Sequence, residues 1–251
     1  MRVLNAPDWL VRRPIAHRGL HERAAGRIEN SPTAARAAIA GDFAIECDVQ
    51  LTADGEAMVF HDFDLMRLTG AAGRVVERRA AALGALTLTG SDDHVPTLGA
   101  VLALIEGRVP LICEVKSRFD GDLRLADRVA TIAAAYEGPL AIKSFDPAVI
   151  SHLRGLALDR PLGIVAEAHY DDAEWAHLSA DRKRDLAEVL HFADSRPDFL
   201  SYAVRDLPHA VPNLCRVAIG MPVMTWTVRT VEQRQRAASW ADQMVFEGFV
   251  P

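Results

Sequence analysis

Eight short apolar runs, at residues 14–17, 43–49, 110–116, 139–143, 161–166, 198–202, 222–227 and 243–246, recur along the chain with stretches of helical spacing between them. Those stretches fall at 31–40, 97–106, 122–136, 147–156, 179–192, 205–215 and 229–240. Ser31-Pro32 supplies a cap and a first-turn proline for one helix, and Thr97 opens another. Eight strands alternating with helices predict an α/β chain closed into a parallel (β/α)8 TIM barrel. The 251 residues, 50% hydrophobic, suffice for such a core, and the expected organisation is a single domain over 1–251. The stretch 50–95, after the second barrel strand, departs from the alternation. Asp54-Gly55 signals a turn and Ala57–Phe60 a short extra strand, so a hairpin over the barrel mouth is expected, with a short helix near 79–86 after it.

In such a barrel, function gathers at the C-terminal ends of the strands, where the connecting loops converge. Here those ends carry His17-Arg18, Glu46-Cys47-Asp48, Glu114-Val115-Lys116, Lys143-Ser144, Glu167, Trp226 and Glu247, while the opposite ends are plain and proline-rich. Side chains alternate along a strand, so Glu46 and Asp48 share one face and Ile45, Cys47 and Val49 the other. Two carboxylates forced together repel unless a cation sits between them, and Glu114 is a third candidate ligand. Three carboxylates make a hard oxygen site suited to Mg²⁺ or Ca²⁺, with Mn²⁺ as an alternative.

Composition narrows the partners. The net charge is −6 with both signs mixed along the chain, so no basic stripe offers a nucleic-acid surface. The charged stretch Met1 to Pro14 has no apolar core of a secretory signal, and no apolar run is long enough to span a membrane. Three widely spaced cysteines, Cys47, Cys113 and Cys215, fit core thiols in a cytoplasmic protein rather than a disulfide framework.

In order and spacing, His17-Arg18-Gly19, Glu29-Asn30-Ser31, Glu46-Cys47-Asp48-Val49, Asp54-Gly55, His61-Asp62 and Glu114-Val115-Lys116 resemble the glycerophosphodiester phosphodiesterases. Weaker similarity runs on through Lys143-Ser144-Phe145 and Thr225-Trp226-Thr227-Val228. The resemblance implies a barrel of the triosephosphate isomerase type, one divalent cation, and hydrolysis of glycerophosphodiesters such as glycerophosphocholine or glycerophosphoethanolamine to sn-glycerol 3-phosphate and an alcohol. It implies His17 and His61 as the general acid/base pair, with their individual roles open, and Glu46, Asp48 and Glu114 as metal ligands. It makes Arg18 and Lys116 phosphate-binding. One departure stands out: the family usually ends its last strand with Asp before Pro, where this chain has Glu247.

Other readings compete at several positions. A relative of the same fold could cleave lysophospholipids or sugar-phosphate diesters, and a silent barrel could only bind phosphorylated ligands, although no histidine or candidate ligand is missing. Glu114 and Lys116 could form a plain internal salt bridge, and Trp226 a wall for the alcohol or glycerol part or a packing residue. Asn30 is expected to shape a loop and Trp175 and Trp240 to pack. His21, His94, His152, His169, His177, His191 and His209 are assigned surface or hydrogen-bonding roles. Residues 169–196, rich in Asp, His and Arg, are expected to form a solvated excursion; were it to cover the mouth, His169 or Tyr170 could touch substrate. Oligomeric state leaves no mark in the sequence.

Overall fold

The computed structural model describes residues 6–251, so Met1–Asn5, part of the stretch weighed above as a leader, lie outside the described residues. Strands β1 (Ile15–Ala16), β2 (Ala44–Leu51), β3 (Ala57–Val59), β4 (Leu111–Val115), β5 (Leu140–Ser144), β6 (Leu162–Ala166), β7 (Phe199–Ala203), β8 (Val223–Val228) and β9 (Gln243–Phe246) form one sheet. All except β3 pair in parallel, and β1 pairs with both β2 and β9, which closes an eight-stranded ring. Helices lie between the strands, as the alternation predicts. Ser31 Oγ accepts the amide of Ala34 and Thr97 Oγ1 that of Ala100, so both expected caps form.

Two apolar layers hold the ring. Ile45, Cys47, Val49, Leu111, Cys113 and Ile142 face outward into the main core, where they meet Ala38, Val101, Val129 and Ile150 from the surrounding helices. All three cysteines are buried and unpaired. Inside the barrel, Ile15, Ala44, Ile112, Ala141, Phe199, Met224 and Val245 fill the N-terminal end, plugged by Leu10 from the short helix Trp9–Arg12. Gly163 sits among them because a Cβ there would lie 2.3 Å from the Phe199 ring. Two residues further along β2, β4 and β5, the same interior face switches to Glu46, Glu114 and Lys143.

The insertion forms as expected: β3 runs antiparallel to β2, and a helix spans Ala80–Gly84. Met58, Phe60, Leu65, Leu68, Val75 and Leu83 give it an apolar centre of its own, distinct from the barrel layers.

Three expectations need correction. The helix expected over 179–192 stops at Ala187; Val189, at φ 54, turns into the main core, and a separate helix covers Phe192–Ser195. The helix expected over 205–215 is interrupted at Leu207, which is extended before Pro208, since proline disfavours helical backbone in the preceding residue. Helix resumes at Ala210–Leu214. Residues 169–196 are not wholly solvated either: Tyr170, Trp175 and Leu186 are buried with Phe119 and Phe145 in a small cluster beside the barrel mouth. Among the described residues, no helix is long and apolar enough to cross a membrane.

Candidate active site

Registry brings the acids together. Asp48 on β2 pairs with Glu114 on β4, which pairs with Lys143 on β5. Glu46, Asp48 and Glu114 are at most 4% exposed, and one oxygen of each lies within 4.8 Å of the others. Cationic side chains already interleave them. Lys143 Nζ lies 3.0 Å from Glu46 and 3.1 Å from Glu114; Lys116 Nζ lies 2.8 Å from Asp48 and 2.5 Å from Glu114. Arg18 Nε stands 3.3 Å from Asp48 Oδ2, an ion contact without hydrogen-bond alignment. Burial opposes ionisation of Glu114, yet the Lys116 and Lys143 ammoniums hold it down at about 2. Asp48 is likewise pulled well below the usual range against burial, by Lys116, His61 and Arg18. Asp48 and Glu114 therefore stay anionic at the cavity wall, and with Glu46 behind them they form a cluster of hard oxygens that fits a divalent cation.

Each expected histidine leans on a carboxylate. His17, after β1, donates Nδ1–H to Glu247 Oε2 at 2.7 Å, which is possible because β1 and β9 are neighbours. That hydrogen bond, helped against burial by the charges of His17 and Arg229, holds Glu247 at about 2. His61, just beyond β3, donates Nδ1–H to Asp62 at 2.8 Å, and Gln50 Nε2 pins the backbone by donating to the carbonyl of His61 at 2.7 Å. Asp62 accepts from Arg67, whose guanidinium also forks onto Glu29 at 2.7 and 2.8 Å. Glu29 in turn accepts Arg18 Nη1 at 2.5 Å. A chain of charge thus ties the insertion to the barrel, and against burial the two arginines hold Glu29 at about 2.

His17 and His61 line the same cavity of about 300 Å³, with Arg18, Asp48, Glu114, Lys116, Lys143, Trp226 and Arg229. Every expected site residue except Glu46 is on that wall, and Glu46 is behind it, accepting the Arg18 amide and the Lys143 ammonium. Trp226 donates Nε1–H to the Ser201 carbonyl and packs edge-on to Phe145 at 5.5 Å.

Sequence reasoning passed over several participants. The strand-end position of Lys143 carries no role in the sequence reading, although a lysine two residues after Ala141 on the same interior face is a readable signal of a buried charge partner. Asn30, assigned to loop shape, donates Nδ2–H to Asp48 at 2.9 Å and accepts the Asp48 amide at 3.3 Å. His21, expected in a surface or hydrogen-bonding role, sits 3.9 Å from Glu247, the partner of His17. Arg67 had no signal, since a helical surface arginine looks the same wherever it lies. His169 and Tyr170 do not line the cavities; Glu174, Trp175 and His177 from the same segment do.

A model of the glycerophosphoryl diester phosphodiesterase family matches residues 17–249. No curated protein sequence matches the chain. In fold it is similar to an Oleispira antarctica phosphodiesterase solved in complex with the product sn-glycerol-3-phosphate, at 20% identity and TM-score 0.74 over 93% of this chain and 91% of that one. It is similar to a Thermotoga maritima glycerophosphodiester phosphodiesterase at 22% identity and TM-score 0.70, over 92% of each chain. A Parabacteroides distasonis glycerophosphodiester phosphodiesterase matches at 21% identity and TM-score 0.70, over 93% and 92%.

Proposed function

Since this chain belongs to the glycerophosphoryl diester phosphodiesterase family and is thereby a phosphodiester hydrolase, we propose that it converts glycerophosphodiesters to sn-glycerol 3-phosphate and an alcohol using a divalent cation and two histidines. The observation that carries this reading is the presence of two carboxylate-oriented imidazoles on one cavity that Asp48 and Glu114 also line, with Glu46 clustered behind them.

Glu46, Asp48 and Glu114 would hold the cation, which supplies Lewis-acid neutralisation of phosphate charge. Arg18, Lys116 and Arg229 add cationic charge around the same space, and anion binding by such groups is strong where water is scarce. His17 is assigned as the base. It lines the polar cavity alone and is held by Glu247, whose carboxylate stabilises the imidazolium formed when His17 Nε2 takes a proton from the attacking hydroxyl. His61 is assigned as the acid, because it also lines a second, apolar cavity that the leaving alcohol would enter. The attacking hydroxyl is water's: its oxygen bonds to phosphorus as the bond from phosphorus to the alcohol oxygen breaks, and that alcohol oxygen receives the proton from His61. Unpaired thiols at all three cysteines support a cytoplasmic setting.

The test is release of glycerol 3-phosphate from a panel of glycerophosphodiesters, using chelator-stripped protein with Mg²⁺, Ca²⁺ or Mn²⁺ added back and His17→Ala as control. Metal-dependent release that disappears in the control is expected. Release from folded protein without any divalent cation, or undiminished in His17→Ala, would overturn the mechanism.

A further inference from the structure

Beside the polar cavity lies a larger one of about 700 Å³ that shares His61, Glu114, Lys116, Phe145 and Glu174 with it, so the two meet at the reacting centre. Its walls differ in kind. Phe63 comes from the insertion, Phe119 from the loop after β4, Phe145 from the loop after β5 and Trp175 from the segment after β6. Three of the rings touch, Phe145 standing 5.0 Å from Trp175 and Phe119 6.1 Å from Trp175, and Phe63 lines the same cavity. Four separate loops converging on one aromatic wall is a costly arrangement for packing alone, since Phe63 remains 38% exposed.

We propose that this cavity is the subsite for the leaving alcohol and that it selects a hydrocarbon-bearing alcohol over a small cationic one such as choline or ethanolamine. The proposal rests on the phosphodiesterase reading above. An aromatic wall could also serve a quaternary ammonium through cation–π contact. Here, however, the protein's own arginines take up that position on the two outer rings: Arg118 lies over the Phe63 ring at 4.4 Å, and Arg182 over Phe119 at 5.7 Å, while the Phe145 and Trp175 rings are packed on one another. Of the carboxylates on its wall, Asp62 is engaged by His61 and Arg67 and Glu114 by Lys116 and Lys143, while Asp64, Asp120 and Glu174 are exposed, where water and salt screen their attraction. What remains for the occupant is apolar surface, which rewards burial of methylene groups. His61 stands at the junction, where a departing alkoxide would need its proton.

The experiment compares kcat/KM for glycerol 3-phosphate release from the ethanolamine and choline diesters and from straight-chain alkyl diesters of two to eight carbons, with divalent cation supplied. Hydrolysis of each ester by one water yields glycerol 3-phosphate and the free alcohol, so one product assay reads the series. A rise of up to about fourfold per methylene is expected while the chain remains inside the cavity. The slope should flatten in Phe63→Ser, at a surface-facing position, and in Phe119→Ala. A flat alkyl series, or choline and ethanolamine esters preferred over octyl, would overturn the subsite while leaving the phosphodiesterase reading intact. A slope unchanged in both variants would also overturn it. No glycerol 3-phosphate from any ester would overturn both.

Discussion

His17 and His61 are set by what each holds at Nδ1, Glu247 in one case and Asp62 in the other. Loss of an acid/base group commonly costs about 10²–10⁴-fold, so His17→Ala and His61→Ala should each lower kcat by that amount in a steady-state assay. Glu247→Gln keeps the shape but removes the charge that favours the imidazolium. It should lower kcat by about tenfold or more with little change in KM. Acid stability follows from the same carboxylates. Glu29, Glu114 and Glu247 are held at about 2 against an ordinary value of 4.5, so the folded chain binds fewer protons than the unfolded one between those values. Their stabilisation is present above about pH 4.5 and is lost as pH falls towards 2, at up to about 1.4 kcal/mol per pH unit for each group. Urea midpoints at pH 7 and pH 3 should show this fall, and Glu29→Gln should make it shallower. The identities of the site residues were legible, because Glu46, Asp48, Glu114, His17 and His61 stand at or just beyond strand ends. The partners were not: Arg67 meets Glu29 across 38 residues, and no local pattern announces such an encounter.

At the scale of elements, the barrel strands appear where the apolar runs predict them, because a strand buried on both faces cannot hide its composition. The helices that failed did so where a single residue broke the pattern: Pro208 reset Leu207, and Val189 turned inward to reach the core. Interior packing also constrains the strands. Gly163→Ala would drive a Cβ to 2.3 Å from the Phe199 ring, and should destabilise the fold by about 1–3 kcal/mol in urea denaturation. Shortening the ring in a Gly163→Ala/Phe199→Leu double variant should recover part of that loss, which a general strand defect would not allow. The loop before the helix Pro32–Ala40 shows how an element serves the site. Ser31 caps the helix while its neighbour Asn30, at φ 58, turns its amide onto Asp48.

Across the whole molecule, charge balance inside the barrel separates folding from catalysis. Three carboxylates face Lys116, Lys143 and Arg18, so the acid cluster is compensated by the chain's own cations. Chelator treatment is therefore expected to abolish glycerol 3-phosphate release while shifting Tm by no more than a few degrees, and readdition of a divalent cation should restore turnover. A collapse of Tm on chelation would show that the cluster needs the ion to fold. By itself, the sequence determined the order of strands and helices, the inward face shared by Glu46 and Asp48, and the family, because these follow from period-two alternation and short motifs read along the chain. Only the tertiary structure decided that Lys143 lies between Glu46 and Glu114, that Glu247 meets His17 across 230 residues, and that four loops bring Phe63, Phe119, Phe145 and Trp175 to one wall. Those contacts arise from closure of the barrel, which brings β1 beside β9 and gathers the loops at one mouth, so they depend on distances that no stretch of sequence contains.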